Sequence, residues 1–116
     1  MLKQVTALAL AAALSGCAAT QYAKDNFGGV ASTEYRDPAN NLVFLIQDKP
    51  QESRMKMLMG LGGSIGLLAV GYNAVPPLPQ WEASALSYLA STGRNCTIVR
   101  AFEIIKADVE VQYSCT

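Results

Sequence analysis

Residues 96–115 read CTIVRAFEIIKADVEVQYSC, and this stretch decides the predicted fold. Its second half alternates strictly, with valine, tyrosine or cysteine at positions 109, 111, 113 and 115 and polar side chains between them. Such alternation is typical of a half-buried β-strand. A cysteine stands at each end of the stretch, so Cys96 faces Cys115 if the preceding residues form the antiparallel partner strand. We therefore predict a C-terminal β-hairpin.

Facing cysteines specify one register for this hairpin. The further partners in that register are Ile98 with Tyr113, Arg100 with Val111, and Phe102 with Val109. The apolar partners then share one face, so the cysteine positions and the hydrophobic pattern predict the same register. The register leaves Ile105-Lys106 at the centre of the turn. Because these residues suit a two-residue turn poorly, a wider loop or a β-bulge is expected.

The first 16 residues predict a signal peptide. Lys3 supplies a positive charge, and an uncharged apolar run follows at 5–14. The next motif, Leu14-Ser15-Gly16-Cys17, resembles the lipobox of bacterial lipoproteins. This resemblance implies that Cys17 receives a diacylglycerol and begins the mature chain. A secretory signal with an incidental cysteine, or an uncleaved anchor, is the alternative, although the apolar run is short for a membrane span.

Ala18 bears on the destination of such a lipoprotein. In Gram-negative bacteria, an aspartate after the lipidated cysteine tends to keep a lipoprotein in the inner membrane. The resemblance and Ala18 together imply that the protein is located at the cell outer membrane. The lipid-anchored domain is then expected to face the periplasm, and exposure at the cell surface is left open. Two or three acyl chains anchor a protein far more firmly than one, since each buried CH₂ contributes about 0.8 kcal/mol.

The composition excludes several classes of function. The chain has 116 residues, 9 basic and 9 acidic side chains, 3 cysteines and no histidine. The balanced charge has no electrostatic signature for nucleic acid. Without histidine, Ser-His-Asp and Cys-His catalysis and most zinc and haem sites are ruled out. We therefore expect no enzyme activity, no cofactor and no metal site.

Two cysteines remain once Cys17 carries a lipid. An exported chain folds in an oxidising compartment, so a disulfide between Cys96 and Cys115 is expected. A two-cysteine metal site is the alternative, but the sequence lacks the histidine or close cysteine pair that would complete four ligands.

Residues 17–41 predict a polar tether behind the lipidated cysteine. They include Gly28-Gly29 and a turn signal at Asp37-Pro38. The scattered aromatic residues leave two alternatives, since these side chains either dock on the domain or lie near the lipid surface. They are Tyr22, Phe27 and Tyr35.

A single domain is predicted over 42–116. A continuous apolar run at 42–46 and an alternating stretch at 54–59 predict a hairpin of strands 42–48 and 54–59. Pro79 and Gly93 bracket a predicted helix over 80–92, whose buried stripe holds Ala85, Leu86 and Leu89. The resulting fold class is α+β, in the order β-β-α-β-β, with one helix packed on an antiparallel sheet of two hairpins and one disulfide.

The uncharged segment 60–75 connects the first hairpin to the helix. Residues 62–66 match the G-x-S-x-G nucleophile turn, but no histidine is present to act as base. Gly62 and Gly66 also form a G-x-x-x-G pair that lets apolar helices approach, although the segment is short for a span. A partly buried crossover is the alternative to contact with lipid or a partner. The candidate contact residues are Gly62, Gly66, Leu67, Leu68, Gly71 and Tyr72.

Several other side chains are candidates for chemistry. Arg100, expected on the inward strand face, is a candidate partner for a carboxylate such as Glu82 or for an anion, with edge exposure as the alternative. Glu103 and Asp108 near the hairpin tip are candidate paired carboxylates, against a solvated turn. The methionines at 55, 57 and 59 share one strand face, which is typical of a core and less commonly of copper ligation.

The chain resembles a group of small uncharacterised Gram-negative envelope lipoproteins in three stretches. These are 82–96 (EASALSYLASTGRNC), 113–115 (YSC) and 47–50 (QDKP). This resemblance implies no assigned activity. With the lipobox, it indicates a lipid-anchored envelope lipoprotein with a structural or protein-interaction role. The alternative is a membrane-active or secretion-accessory lipoprotein that oligomerises through 60–75. The expected partners are the membrane, through the lipid, and an envelope protein or a second copy, with no nucleic acid.

Overall fold

The computed structural model describes residues 17–59 and 75–116. The predicted signal peptide and the lipobox residues before Cys17 lie outside the described residues. So do the candidate contact residues, which are Gly62, Gly66, Leu67, Leu68, Gly71 and Tyr72. The described elements are α1 (Cys17–Phe27), β1 (Ser32–Arg36), β2 (Val43–Lys49), a 3₁₀ turn (Pro50–Glu52), β3 (Arg54–Met59), α2 (Leu78–Ser91), β4 (Cys96–Ile105) and β5 (Asp108–Cys115).

The strands of the described part form one antiparallel five-stranded sheet in the order β1-β2-β3-β5-β4. Strands β1 to β3 pair consecutively, and the chain then passes through α2 to the far edge, from which β5 returns beside β3. The α+β class and the antiparallel sheet are therefore confirmed. The predicted β-β-α-β-β order differs in detail, because α1 and β1 precede the strands that were expected first.

The irregular tether predicted over 17–41 is replaced by a helix and an edge strand. Strand β1 pairs with β2 from Ser32 opposite Gln47 to Arg36 opposite Val43. The turn that follows is closed by Asp37, whose backbone N–H donates to the Leu42 carbonyl at 2.8 Å and whose Oδ1 accepts from the backbone N–H of Ala39 at 2.9 Å. The Asp-Pro signal therefore marks a β1–β2 turn within the sheet.

Helix α2 covers one face of the sheet and forms the main core. The ring of Trp81 lies 5.1 Å from that of Phe44, centroid to centroid. The sheet side of this core is formed by Phe44, Ile46, Met55, Met57, Met59, Val109, Val111 and Tyr113, and the helix side by Trp81, Ala85, Tyr88 and Leu89. The three methionines are thus core residues.

The ends of α2 agree closely with the predicted span of 80–92. Gly93 has a φ of +84° just after the helix, and the next residue, Arg94, donates its backbone N–H to the Leu89 carbonyl at 3.0 Å. This is the predicted glycine C-cap, because a left-handed residue lets the chain turn back over the last carbonyls. Leu86, expected on the buried stripe, is 36% exposed instead.

The C-terminal hairpin keeps the predicted register at one end and departs from it at the other. Cys96 lies opposite Cys115 and Ile98 opposite Tyr113, as predicted. Irregularities between Ile98 and Arg100 and between Glu103 and Ile105 then shift the pairing. The predicted partners of Arg100 and Phe102 are therefore wrong, since these residues face Gln112 and Glu110. The first bulge brings Ala101 opposite Val111 and so spares the core a buried guanidinium.

Candidate functional site: the first helix on a charged sheet face

Helix α1 lies on the sheet face opposite α2. Its contact side holds Ala19, Tyr22, Asn26 and Phe27, which recur at helical spacing. Phe27 is fully buried and Ala19 is 1% exposed. Strand alternation places an unusual number of polar side chains on this face, namely Gln47, Lys49, Arg54, Lys56, Asp108, Glu110 and Gln112. The helix therefore packs on a largely charged layer.

The centre of this contact is the carboxylate of Glu110, which is fully buried. The Tyr22 hydroxyl donates a hydrogen bond of 2.5 Å to its Oε1. Its Oε2 accepts from Gln112 Nε2 at 2.9 Å and faces an Arg54 nitrogen at 3.5 Å. Burial of the phenol, with the hydrogen bond to Glu110, raises the pKa of Tyr22 to about 12. A buried carboxylate with three partners is satisfied, so it holds the helix to the sheet.

The C-terminal end of α1 is held by cations from β2 and β3. Lys49 Nζ donates to the Asn26 carbonyl at 2.7 Å, and Arg54 donates to Asn26 Oδ1 at 3.0 Å. Both cations also lie over the Phe27 ring, at 5.6 Å for Lys49 and 5.2 Å for Arg54. Positive charge beside the last carbonyls of a helix is favourable, because the helix dipole is negative there. Gln47 adds hydrogen bonds to the Phe27 and Val30 carbonyls.

A second ion pair, between Lys56 and Asp108, lies on the same face. Lys56 Nζ is 3.1 Å and 3.3 Å from the two Asp108 carboxylate oxygens, and both side chains are about nine-tenths buried. Burial raises the pKa of the Asp108 carboxyl, against the lowering effect of the Lys56 ammonium. Two oxygens sharing one ammonium satisfy the pair inside the fold.

The predicted chemical candidates near the hairpin tip are not brought together. Asp108 is buried beside Lys56, whereas Glu103 is exposed and opposite Val109, on the other face of the sheet. The candidate pairing of these carboxylates is therefore wrong, and the alternative of a solvated turn holds for Glu103 but not for Asp108. Arg100 is exposed on the edge strand, with its guanidinium 4.7 Å from the centroid of the Phe102 ring. Of the two alternatives for Arg100, the structure therefore shows edge exposure and not an inward position.

A third polar cluster, formed by Asp48, Arg94 and Tyr113, lies on the α2 side of the sheet. Arg94 donates to Asp48 Oδ2 at 2.5 Å, and the Tyr113 hydroxyl donates to Asp48 Oδ1 at 2.6 Å. Burial and the Asp48 carboxylate raise the pKa of Tyr113. Among the described residues, every buried side-chain nitrogen or oxygen has a hydrogen-bond partner. The ionisable side chains of these clusters therefore join secondary-structure elements through hydrogen bonds and ion pairs.

The described residues contain the predicted disulfide and one unbonded cysteine. Cys96 and Cys115 form a disulfide that joins the open ends of β4 and β5. Cys17 is unbonded and exposed at the first residue of α1. A shallow cleft of about 460 Å³ lies beside it, lined by Cys17, Thr20, Gln21, Lys24 and Ile105. We refer to it below as the Cys17 cleft.

Sequence reasoning identified only some of the residues that bind α1 to the sheet. Tyr22 and Phe27 were noted as aromatic residues able to dock, and the structure places both against the sheet. Their helical spacing with Ala19 was the available signal. Arg54 and Glu110 carry no local signal, because each is one polar position in an alternating strand.

Within residues 17–59 and 75–116, no group of histidine, cysteine and acidic side chains is arranged to hold a metal ion. No helix in that part of the chain is long and apolar enough to cross a membrane. Comparison with protein-family models, with curated proteins and with solved structures finds no match to this chain.

Proposed function

We propose that the protein is a lipid-anchored lipoprotein of the cell envelope, in which Cys17 carries a diacylglycerol and the folded domain has a structural or protein-interaction role. The observation that carries the proposal is the state of Cys17. The other two cysteines are consumed by the disulfide, whereas Cys17 is unbonded and exposed at the start of α1. Its thiol is therefore accessible at the position where the lipobox resemblance expects the lipid.

The docking of α1 makes the proposed anchor short and stiff. The helix spans about 16 Å at 1.5 Å per residue. Its second half is bound to the sheet by Tyr22, Asn26 and Phe27, and Ala19 is buried in its first half. A lipid on Cys17 is then joined directly to the domain. A domain held this close to a membrane suits a structural or protein-interaction role, which depends on where the domain lies and on what it contacts.

The internal use of charge supports the same role. The buried acids Glu110 and Asp108 each lie beside a basic side chain, at 3.5 Å from Arg54 and 3.1 Å from Lys56. These groups hold α1 and the strands together. Charge arranged in this way favours a stable scaffold over a reactive centre.

Metabolic labelling with a radioactive fatty acid tests the proposal. Label is expected on the wild-type chain and on the Cys96→Ser/Cys115→Ser variant, and it is expected to be lost from Cys17→Ser. The double variant is the matched control, because it removes two cysteines and leaves the lipobox intact. Label that persists on Cys17→Ser would overturn the proposal.

The proposed outer-membrane destination has its own test. Ala18 lies in the first turn of α1, where an aspartate is compatible with the positive end of the helix dipole. Ala18→Asp is therefore expected to keep the fold and to shift the protein from the outer-membrane to the inner-membrane fraction on density separation. Ala18→Ser is the control. An unchanged distribution of Ala18→Asp would contradict sorting by this residue.

A further inference from the structure

The Cys17 cleft brings the start of α1 next to the tip of the C-terminal hairpin. Its helical wall consists of Cys17, Thr20, Gln21 and Lys24, which share one side of α1 at spacings of three and four residues. Its other wall is Ile105, one of the large apolar side chains that the described part leaves exposed, at 42%. Lys106, the next residue in the turn, is also exposed. An exposed apolar side chain and a lysine of α1 thus line the cleft beside Cys17, and a second exposed lysine follows Ile105 in the chain.

We propose that this side of the domain rests on a phospholipid bilayer, with Ile105 inserted among the lipid headgroups and Lys24 and Lys106 against lipid phosphates. The inference rests on the proposed function, since it takes acyl chains on Cys17 as the fixed point. Those chains bring the membrane surface to the first turn of α1. The ties of α1 to the sheet then prevent the hairpin tip from swinging away from that surface.

The size and chemistry of the surface favour a bilayer as the occupant. The five lining residues include one large apolar side chain, Ile105, whereas the core of a stable protein interface is rich in aromatic and other large apolar side chains. A single aliphatic side chain with flanking lysines is instead typical of contact at a membrane surface, where the amines meet phosphates. Asp25, an acidic side chain of α1 close to this surface, accepts a hydrogen bond from Gln21 at 2.6 Å, and the two lysines outnumber it.

Fluorescence quenching with the full lipidated chain tests this orientation. Because Cys17 carries lipid and Cys96 is bonded to Cys115, an Ile105→Cys substitution introduces a single reactive thiol for an environment-sensitive dye. Val99→Cys is the matched control, because Val99 is 63% exposed on the same strand. It lies about 20 Å from position 105 at the usual rise per strand residue. Both proteins are reconstituted in phosphatidylethanolamine–phosphatidylglycerol vesicles that contain a doxyl-labelled lipid.

The dye at position 105 is expected to emit at shorter wavelength, to be quenched by the doxyl lipid and to be shielded from aqueous iodide. The dye at position 99 is expected to show the reverse. Equal quenching at both positions, in protein whose Cys17 is lipidated by mass spectrometry, would overturn this inference and leave the proposed function intact. An unmodified Cys17 in membrane-derived protein would overturn the proposed function and the inference with it.

Discussion

The hydroxyl of Tyr22 donates a hydrogen bond of 2.5 Å to the carboxylate of Glu110, 88 positions further along the chain. This contact joins the residues closest to the proposed lipid with the central part of the sheet. Because Glu110 is fully buried, its carboxylate oxygens are satisfied only by the few donors that reach them. Mutation of these residues can therefore measure how much the attachment of α1 contributes to the stability of the fold.

Replacing Tyr22 by phenylalanine is expected to lower the free energy of unfolding by about 1–3 kcal/mol, because it takes a donor from a buried carboxylate. Urea denaturation followed by circular dichroism measures the change. Tyr35→Phe is the control, since the Tyr35 hydroxyl is paired with the neutral Ser87 hydroxyl. Its loss is expected to cost about 0.5–1.5 kcal/mol. A larger effect at Tyr35 than at Tyr22 would contradict the importance assigned to the buried charge.

Alkaline titration is expected to destabilise the fold through the same tyrosine. Its pKa is about 12 in the folded chain, against an ordinary value of 10.0. The unfolded chain therefore loses this proton first, so the contribution of Tyr22 to stability is constant below pH 10 and is lost as pH rises towards 12. Unfolding followed over this pH range should show a steeper fall for wild type than for Tyr22→Phe. Identical slopes would show that Tyr22 is not the responsible group.

The Lys56–Asp108 pair is expected to behave as a unit. Lys56→Met leaves a buried carboxylate without its cation and is expected to lower the free energy of unfolding by about 3 kcal/mol. The Lys56→Met/Asp108→Leu double variant is expected to recover most of that loss, because no buried charge remains. Chemical denaturation of both single variants and of the double variant gives the free energies of unfolding that a double-mutant cycle requires. Additive losses in the double variant would argue against coupling.

Loss of the disulfide is expected to destabilise the chain without abolishing the sheet. The bond spans 19 positions, and closing a loop of this length contributes about 3 kcal/mol in the chain-entropy model. The Cys96→Ser/Cys115→Ser variant should therefore unfold at lower urea concentration. Treating the wild-type protein with reductant should produce the same shift. A variant as stable as the oxidised protein would contradict this estimate.

The bulge at Val99 is expected to protect an edge strand from pairing with other chains. Val99 is the extra residue between the Ile98 and Arg100 pairs, and such irregularities discourage edge-to-edge association. Deleting Val99 should remove this irregularity, leave the one between Glu103 and Ile105, and increase self-association in sedimentation velocity. Val99→Ala retains the bulge and serves as the control. A deletion variant that stays as monomeric as the control would show that the bulge has no such role.

Much of the α2 side of the molecule was predictable from local patterns. Alternation at Val109, Val111 and Tyr113 identified the buried face of β5, and Gly93 located the end of α2. The methionine face of β3 was identified in the same way. These predictions succeeded because apolar side chains at period 2 or 3.6 record burial directly in the sequence.

The α1 side was not predictable to the same degree. Its contact surface is built from charged and polar residues that look solvated in the sequence, such as Arg54 and Glu110. Their burial depends on partners that lie 28 and 88 positions away, Asn26 and Tyr22. A polar residue in an alternating strand is the ordinary signal of an exposed face, so the pattern favoured a tether over 17–41.

The sequence by itself determined the core beneath α2 and the start of the C-terminal hairpin, where facing cysteines and alternating side chains allow one register. Tertiary structure alone decided the rest of that register and the place of α1. The bulge after Ile98 turns Ala101 and not Arg100 towards the core, because burying a guanidinium under α2 would cost more than an irregular edge. The first helix binds where charges from three strands meet, and no single stretch of sequence contains that arrangement.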